Sequence, residues 1–93
     1  MNRKPEVSVA AEGFQFPCDY QVKAMGLDDG DFRETVIAIV GNHCEIDEQL
    51  ITCRSSANGK YLSVSVTIQA HSREQLDAIY DALTAHEKVL MRL

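Results

Sequence analysis

From Phe14 the chain alternates. Phe14, Phe16, Cys18, Tyr20, Val22 and Ala24 fall on one side, and Gln15, Asp19, Gln21 and Lys23 on the other. That period of two marks a half-buried strand, with pairing expected to be incomplete at Pro17, which has no N–H to donate. Gly26 ends it. Asp28-Asp29-Gly30-Asp31 then offers several N-caps, and Glu34 stands three residues after Asp31, where it would close a capping box. Phe32, Val36, Ile39, Val40 and His43 recur at helical spacing, which predicts an amphipathic helix over about residues 29–43. A polar connection around Glu45–Glu48 leads to a second strand, expected from about Gln49 to Ala57.

Asn58-Gly59 is the strongest short-range hairpin signal in the chain, because both residue types tolerate the positive φ of a type I′ turn. Read as a two-residue loop, it sets Ala57 opposite Lys60, Cys53 opposite Val64 and Ile51 opposite Val66. Arg54 then faces Ser63, and Thr52 faces Ser65. The alternation of Tyr61 to Ala70 selects the same register independently. Beyond it, Ser72 and Gln75 form a second capping box. Leu76, Ile79, Tyr80 and Leu83 form the buried stripe of a second helix. Val89, Met91 and Leu93 alternate in a short final strand.

The order β-α-β-β-α-β predicts an α+β ferredoxin-like sandwich, a four-stranded antiparallel sheet in strand order 4-1-3-2 with both helices on one face. The domain is expected over residues 13–93, behind a flexible tail at 1–12. Ninety-three residues suit one modest core, and 45% hydrophobic with 25% charged residues is an ordinary globular balance. The net charge of −5 disfavours phosphate backbones and anionic lipids. Cys18, Cys44 and Cys53 form no close-spaced pair, and the basic N-terminus has no apolar run behind it. Reduced thiols in a cytoplasmic protein are therefore expected, with no membrane span.

If the helices cover the face carrying Val64, Val66 and Ile68, the opposite face is open. It is expected to present Gln21, Lys23, Thr52, Arg54, Tyr61, Ser63, Ser65, Thr67 and Arg92. Such a face is either a solvated sheet or a surface that meets a partner. Sheets of this fold that bind RNA stack bases on aromatic residues of the central strands. Tyr61, Ser63 and Ser65 occupy those positions, and serines supply none of the ~1–3 kcal/mol that stacking gives per base. Nucleic acid is not an expected partner.

Phe16-Pro17, Lys23-Ala24-Met25-Gly26 and the run Ser55-Ser56-Ala57-Asn58-Gly59-Lys60-Tyr61-Leu62-Ser63-Val64-Ser65-Val66-Thr67-Ile68-Gln69-Ala70 resemble the YbeD family of small bacterial proteins. Glu74-Gln75-Leu76, Tyr80, Leu83 and Val89-Leu90-Met91-Arg92-Leu93 continue the resemblance, which spans about residues 14–93. It implies a ferredoxin-like fold similar to the ACT domains that regulate metabolic enzymes. It also implies an unassigned activity, with a hint of lipoate metabolism from neighbouring genes. The acidic segment Glu45–Glu48 departs from the family's pattern.

Chemistry-bearing residues are sparse. His43 and Cys44, with Asp47 near, lack a second ligand pair at zinc-like spacing. His71 and His86 bracket the second helix, too far apart to share an ion. Cys18 and Cys53 are expected on inward faces as small hydrophobes, and no base stands beside Cys44. No catalytic, metal or cofactor site is therefore assigned. Two functions stay open. One is a non-catalytic regulatory or adaptor domain meeting a protein partner or a second copy through Lys23, Arg54, Tyr61, Ser63 and Ser65. The other is an ACT-like sensor holding an amino acid or similar metabolite near Gly26, in the connection after the first strand.

Overall fold

The computed structural model describes residues 15–92. The tail expected at 1–12 lies outside the described residues, as do Phe14 and Leu93. The described chain runs β1 (Cys18–Leu27), α1 (Phe32–Gly41), β2 (Ile51–Ser55), β3 (Tyr61–Ala70), α2 (Arg73–Ala85) and β4 (Met91–Arg92). The strands form one antiparallel sheet in the order β2-β3-β1-β4. This is the βαββαβ ferredoxin-like α+β fold that the periodicities predict.

Antiparallel partners share a face, so the register sorts every strand residue. Val22, Ala24, Val64, Val66, Ile68 and Ala70 face the helices and are buried with Phe32, Val36 and Val40 of α1 and Leu76, Ile79 and Leu83 of α2. A fully buried Leu, Ile or Phe contributes about 1.5–3 kcal/mol. Surface ion pairs contribute about 0–1 kcal/mol each. Apolar burial on this one face therefore holds the two layers together.

The hairpin keeps the predicted register, with Ile51 opposite Val66, Cys53 opposite Val64 and Arg54 opposite Ser63. Its turn is different. The Ser56 N–H donates to the Tyr61 carbonyl at 2.9 Å, but the Ser56 carbonyl accepts instead from the Gly59 N–H at 2.9 Å. The Tyr61 N–H donates to Ser56 Oγ at 3.0 Å, so the serine side chain replaces its own carbonyl. Asn58 Oδ1 accepts from the Lys60 N–H at 3.1 Å and from Ser56 Oγ at 2.9 Å. The loop therefore spans Ala57 to Lys60 rather than two residues, with Gly59 at φ +75°. Two- and four-residue loops closed about the same centre leave the ladder in one register, which is why the pairing survives the change.

One strand boundary and both capping boxes differ from expectation. Gln49 and Leu50 belong to a 3-10 turn at Glu48–Leu50, capped by Asp47 Oδ1 accepting from the Gln49 N–H at 3.0 Å, so β2 begins only at Ile51. The Asp31–Glu34 capping box does not form, because Asp31 Oδ1 accepts from Lys88 Nζ at 2.7 Å and Glu34 pairs with Arg33. The second box forms in part. Ser72 Oγ caps the Gln75 N–H at 3.0 Å, while Gln75 reaches back to the His71 N–H and across to the His43 carbonyl. That last bond, 3.0 Å long, ties the end of α1 to the start of α2.

Candidate functional site

The face away from the helices carries what the hairpin register assigns to it. Lys23 lies opposite Ser65, which lies opposite Thr52; Gln21 lies opposite Thr67. One step along, Arg54, Ser63, Met25 and Met91 form a row across all four strands. Leu27 and Tyr61 pair beyond that row. Lys23, Arg54, Tyr61, Ser63 and Ser65 are thus brought onto one surface.

Arg92 is not on it. Its partner in β1 is Ala24, a helix-side residue, and its guanidinium stacks over the Tyr80 ring at 5.2 Å while Nε donates to Thr84 Oγ1 at 2.6 Å. The chain bends between His86 and Val89, with the Val89 N–H donating to the His86 carbonyl at 3.1 Å. Val89 consequently packs against the core outside the strand, and the alternation read through Val89, Met91 and Leu93 is offset by one. A one-residue offset exchanges the faces. Met91 moves to the open side and Arg92 to the helix side.

The exchange changes the character of the surface. Met25, Leu27, Tyr61 and Met91 make one end of the open face apolar, with Leu27 48% and Met91 47% exposed. Adjoining Leu90 is 56% exposed. The other end holds the hydroxyl ladder and Lys23, and Lys60 stands over the Tyr61 ring at 5.4 Å. Met25 was hidden in the sequence because it sits where the strand was taken to be ending.

Lys23 and Arg54 stand two strands and one residue pair apart. At ~4.8 Å between strands and ~3.3 Å per residue, their Cβ atoms are about 12 Å apart. The spacing suits two carboxylates on an extended segment, each meeting one cation.

Gly26 is a packing position. β1 continues through it to Leu27, and it is buried against α1. An added Cβ would lie 2.8 Å from Phe32 Cζ and nearer still to Phe32 Cε1 and the Lys88 carbonyl oxygen. The acidic connection beyond it is closed by Lys88, whose Nζ meets Asp29 Oδ2 at 3.0 Å and Asp31 Oδ1 at 2.7 Å. The Lys88 hydrogen bond, helped by the Asp31 N–H, holds the Asp29 carboxyl down to about 2. The same two carboxylates, Asp31 before Asp29, hold the Lys88 ammonium above its ordinary range.

The thiols are dispersed. Cys44 is half-buried, donates to the Val40 carbonyl at 3.5 Å, and is pushed up by burial, which disfavours the nucleophilic thiolate. Cys18 packs against the core as expected. Cys53 pairs with Val64 on the helix side but is exposed, β2 being the edge of the sheet. Among the described residues no group of three or more His, Cys, Asp or Glu side chains is placed to hold a metal, and no helix is long and apolar enough to cross a membrane.

Residues 11–93 match the family described as "Protein of unknown function (DUF493)". The chain is 43% identical over 83 residues to a UPF0250 protein of Paraburkholderia phytofirmans, covering 88% of this chain and 93% of that one. It is 44% identical over 80 residues to UPF0250 protein NE1487 of Nitrosomonas europaea, covering 85% and 92%. The solution structure of protein HP0495 from H. pylori superposes with a TM-score of 0.66, covering 97% of this chain and 98% of that one. At 13% identity this likeness speaks for the fold alone.

Proposed function

This chain belongs to the DUF493 family, whose relatives are UPF0250 proteins, and from that premise we propose that it is a non-catalytic regulatory or adaptor domain acting through protein contacts on its open sheet face. The observation that carries this reading is the composition of that face. An apolar end with exposed Leu27 and Met91 and half-buried Met25 and Tyr61 adjoins a polar end carrying two separated cations, Lys23 and Arg54. Contiguous exposed apolar patches rimmed by polar residues are a mark of interaction surfaces. The partner is a protein segment with an apolar anchor and two spaced carboxylates, docking in the cytoplasm. Proteins of lipoate metabolism, to which the resemblance points, are the first candidates to try.

The sensor alternative draws less support. Its connection after β1 is lined by carboxylates already engaged by Lys88, and Gly26 is covered by Phe32. The test is a pair of variants, Leu27→Asp with Met91→Asp and Lys23→Glu with Arg54→Glu, each checked for folding by circular dichroism. Both should fold and lose the partners that the parent captures. A parent that captures nothing and instead melts higher with an amino acid would favour the sensor.

A further inference from the structure

β3 outruns its neighbour. β2 begins at Ile51 opposite Val66, whereas β3 continues to Ala70, paired only with β1. The parity of the ladder says which backbone groups are involved. The Asp28 N–H donates to the Lys60 carbonyl, so even-numbered residues of β3 aim their backbone groups at β1. Thr67 and Gln69, being odd, aim theirs toward the β2 edge, where the Ile51–Val66 pairing sets the Thr67 N–H on the Leu50 carbonyl and leaves Gln69 beyond the last pair. The residue that would continue β2 opposite Thr67 is Leu50, and its N–H turns back to the Asp47 carbonyl at 2.9 Å.

That edge borders a groove of about 250 Å³, lined by Asp19, Glu45, Ile46, Asp47, Leu50, Thr67, Ile68 and Gln69. Its walls are of two kinds. Ile46, Ile68 and Leu50 are apolar, and Leu50 is 47% exposed. Asp19, Glu45 and Asp47 are carboxylates, with no Lys or Arg among the described residues that line the space. Asp47 spends one oxygen capping the Gln49 N–H.

We propose that this groove takes an extended segment of a partner protein that adds to the free edge of β3 at Gln69, beyond Leu50, and sets a Lys or Arg side chain among Asp19, Glu45 and Asp47. Strand addition draws its affinity from main-chain hydrogen bonds and its specificity from alternate side-chain pockets. Here alternate residues of the incoming segment would meet the apolar wall and the acidic rim. The site shares Asp19, Thr67 and Gln69 with the open face but lies at its far end from Leu27 and Met91 and is opposite in charge to Lys23 and Arg54, so separate variants test the two readings.

The ¹⁵N-labelled full chain is titrated with the capped peptide Thr-Val-Lys-Val-Lys-Val-Thr and with its counterpart carrying Glu in place of Lys. The lysine peptide should shift the Gln69 amide resonance and slow its hydrogen exchange, and the glutamate peptide should do neither. Asp19→Lys with Glu45→Lys should weaken the lysine peptide about tenfold or more, since each lost opposite charge becomes a repulsion. Leu27→Ser should leave it unchanged. Equal responses to both peptides, shifts centred on Met25 and Leu27, or no response at about millimolar peptide would overturn the assignment. So would a concentration-dependent dimer by sedimentation that protects the same amide, which would make a second copy the occupant.

Discussion

Successive residues of β1 meet opposite surroundings. Val22, Ala24 and Gly26 are sealed beneath the helices, whereas Lys23, Met25 and Leu27 face outward on the same backbone. The covered side is apolar throughout, and Phe32 fills the space that Gly26 leaves by having no side chain. The open side is divided, apolar near Leu27 and Met91, hydroxylated and cationic near Lys23 and Arg54. Stability resides on one face, leaving the other free to vary in chemistry without loss of fold. That separation suits the binding role proposed for the open face.

The largest expected effect lies on the covered side. Phe32→Ala removes a 1%-exposed ring from the middle of the core and should cost about 3–5 kcal/mol in a urea melt. A loss below about 1 kcal/mol would mean that the helix layer is not what stabilises the sheet. Gly26→Ala comes next, at about 1–3 kcal/mol, because the new methyl group collides with Phe32 and with backbone at Lys88. The double variant with Phe32→Leu should recover part of this loss, since the smaller side chain vacates the contested space.

The clasp at the margin of the two faces should show as a pH dependence. Asp29 is held at about 2 against an ordinary 3.8. Its folded value lies below its unfolded one, so the stabilisation is fully present above about pH 4 and is lost as pH falls toward 2. Lys88→Gln should therefore lower the Tm at pH 6 and make no difference near pH 2. A Tm gap that persists unchanged to pH 2 would sever the link between Lys88 and this carboxylate. The smallest effect is expected on the open face, where Lys23→Glu with Arg54→Glu should stay within about 0.5 kcal/mol of the parent.

Most of the covered face was legible in the sequence, because burial writes itself as period. Val64, Val66 and Ile68 alternate, while Leu76, Ile79 and Leu83 recur every three or four residues, and both patterns identify the core side. The hairpin register was legible as well, through Asn58-Gly59 and the alternation of β3, even though Ser56 recasts the turn. The open face was read less well, for local reasons. A bend after α2 shifts the phase of Met91 and Arg92, and a bend is set by backbone hydrogen bonds that carry no hydrophobic period. The exposure of Cys53 depends on β2 being the edge strand, which the strand's own alternation does not record. The failed Asp31–Glu34 cap has a distant cause, since Lys88, 57 residues away, claims the carboxylate.

The central claim is that the apolar end of the open face is where a partner docks. Photo-crosslinking tests it most directly, with Leu27→p-benzoylphenylalanine compared in living cells with Asp81→p-benzoylphenylalanine on the exposed side of α2. The account predicts discrete adducts from position 27 that disappear when Lys23→Glu and Arg54→Glu are added, and none from position 81. Adducts of equal yield from both positions, or adducts at 27 that survive the charge reversal, would contradict it.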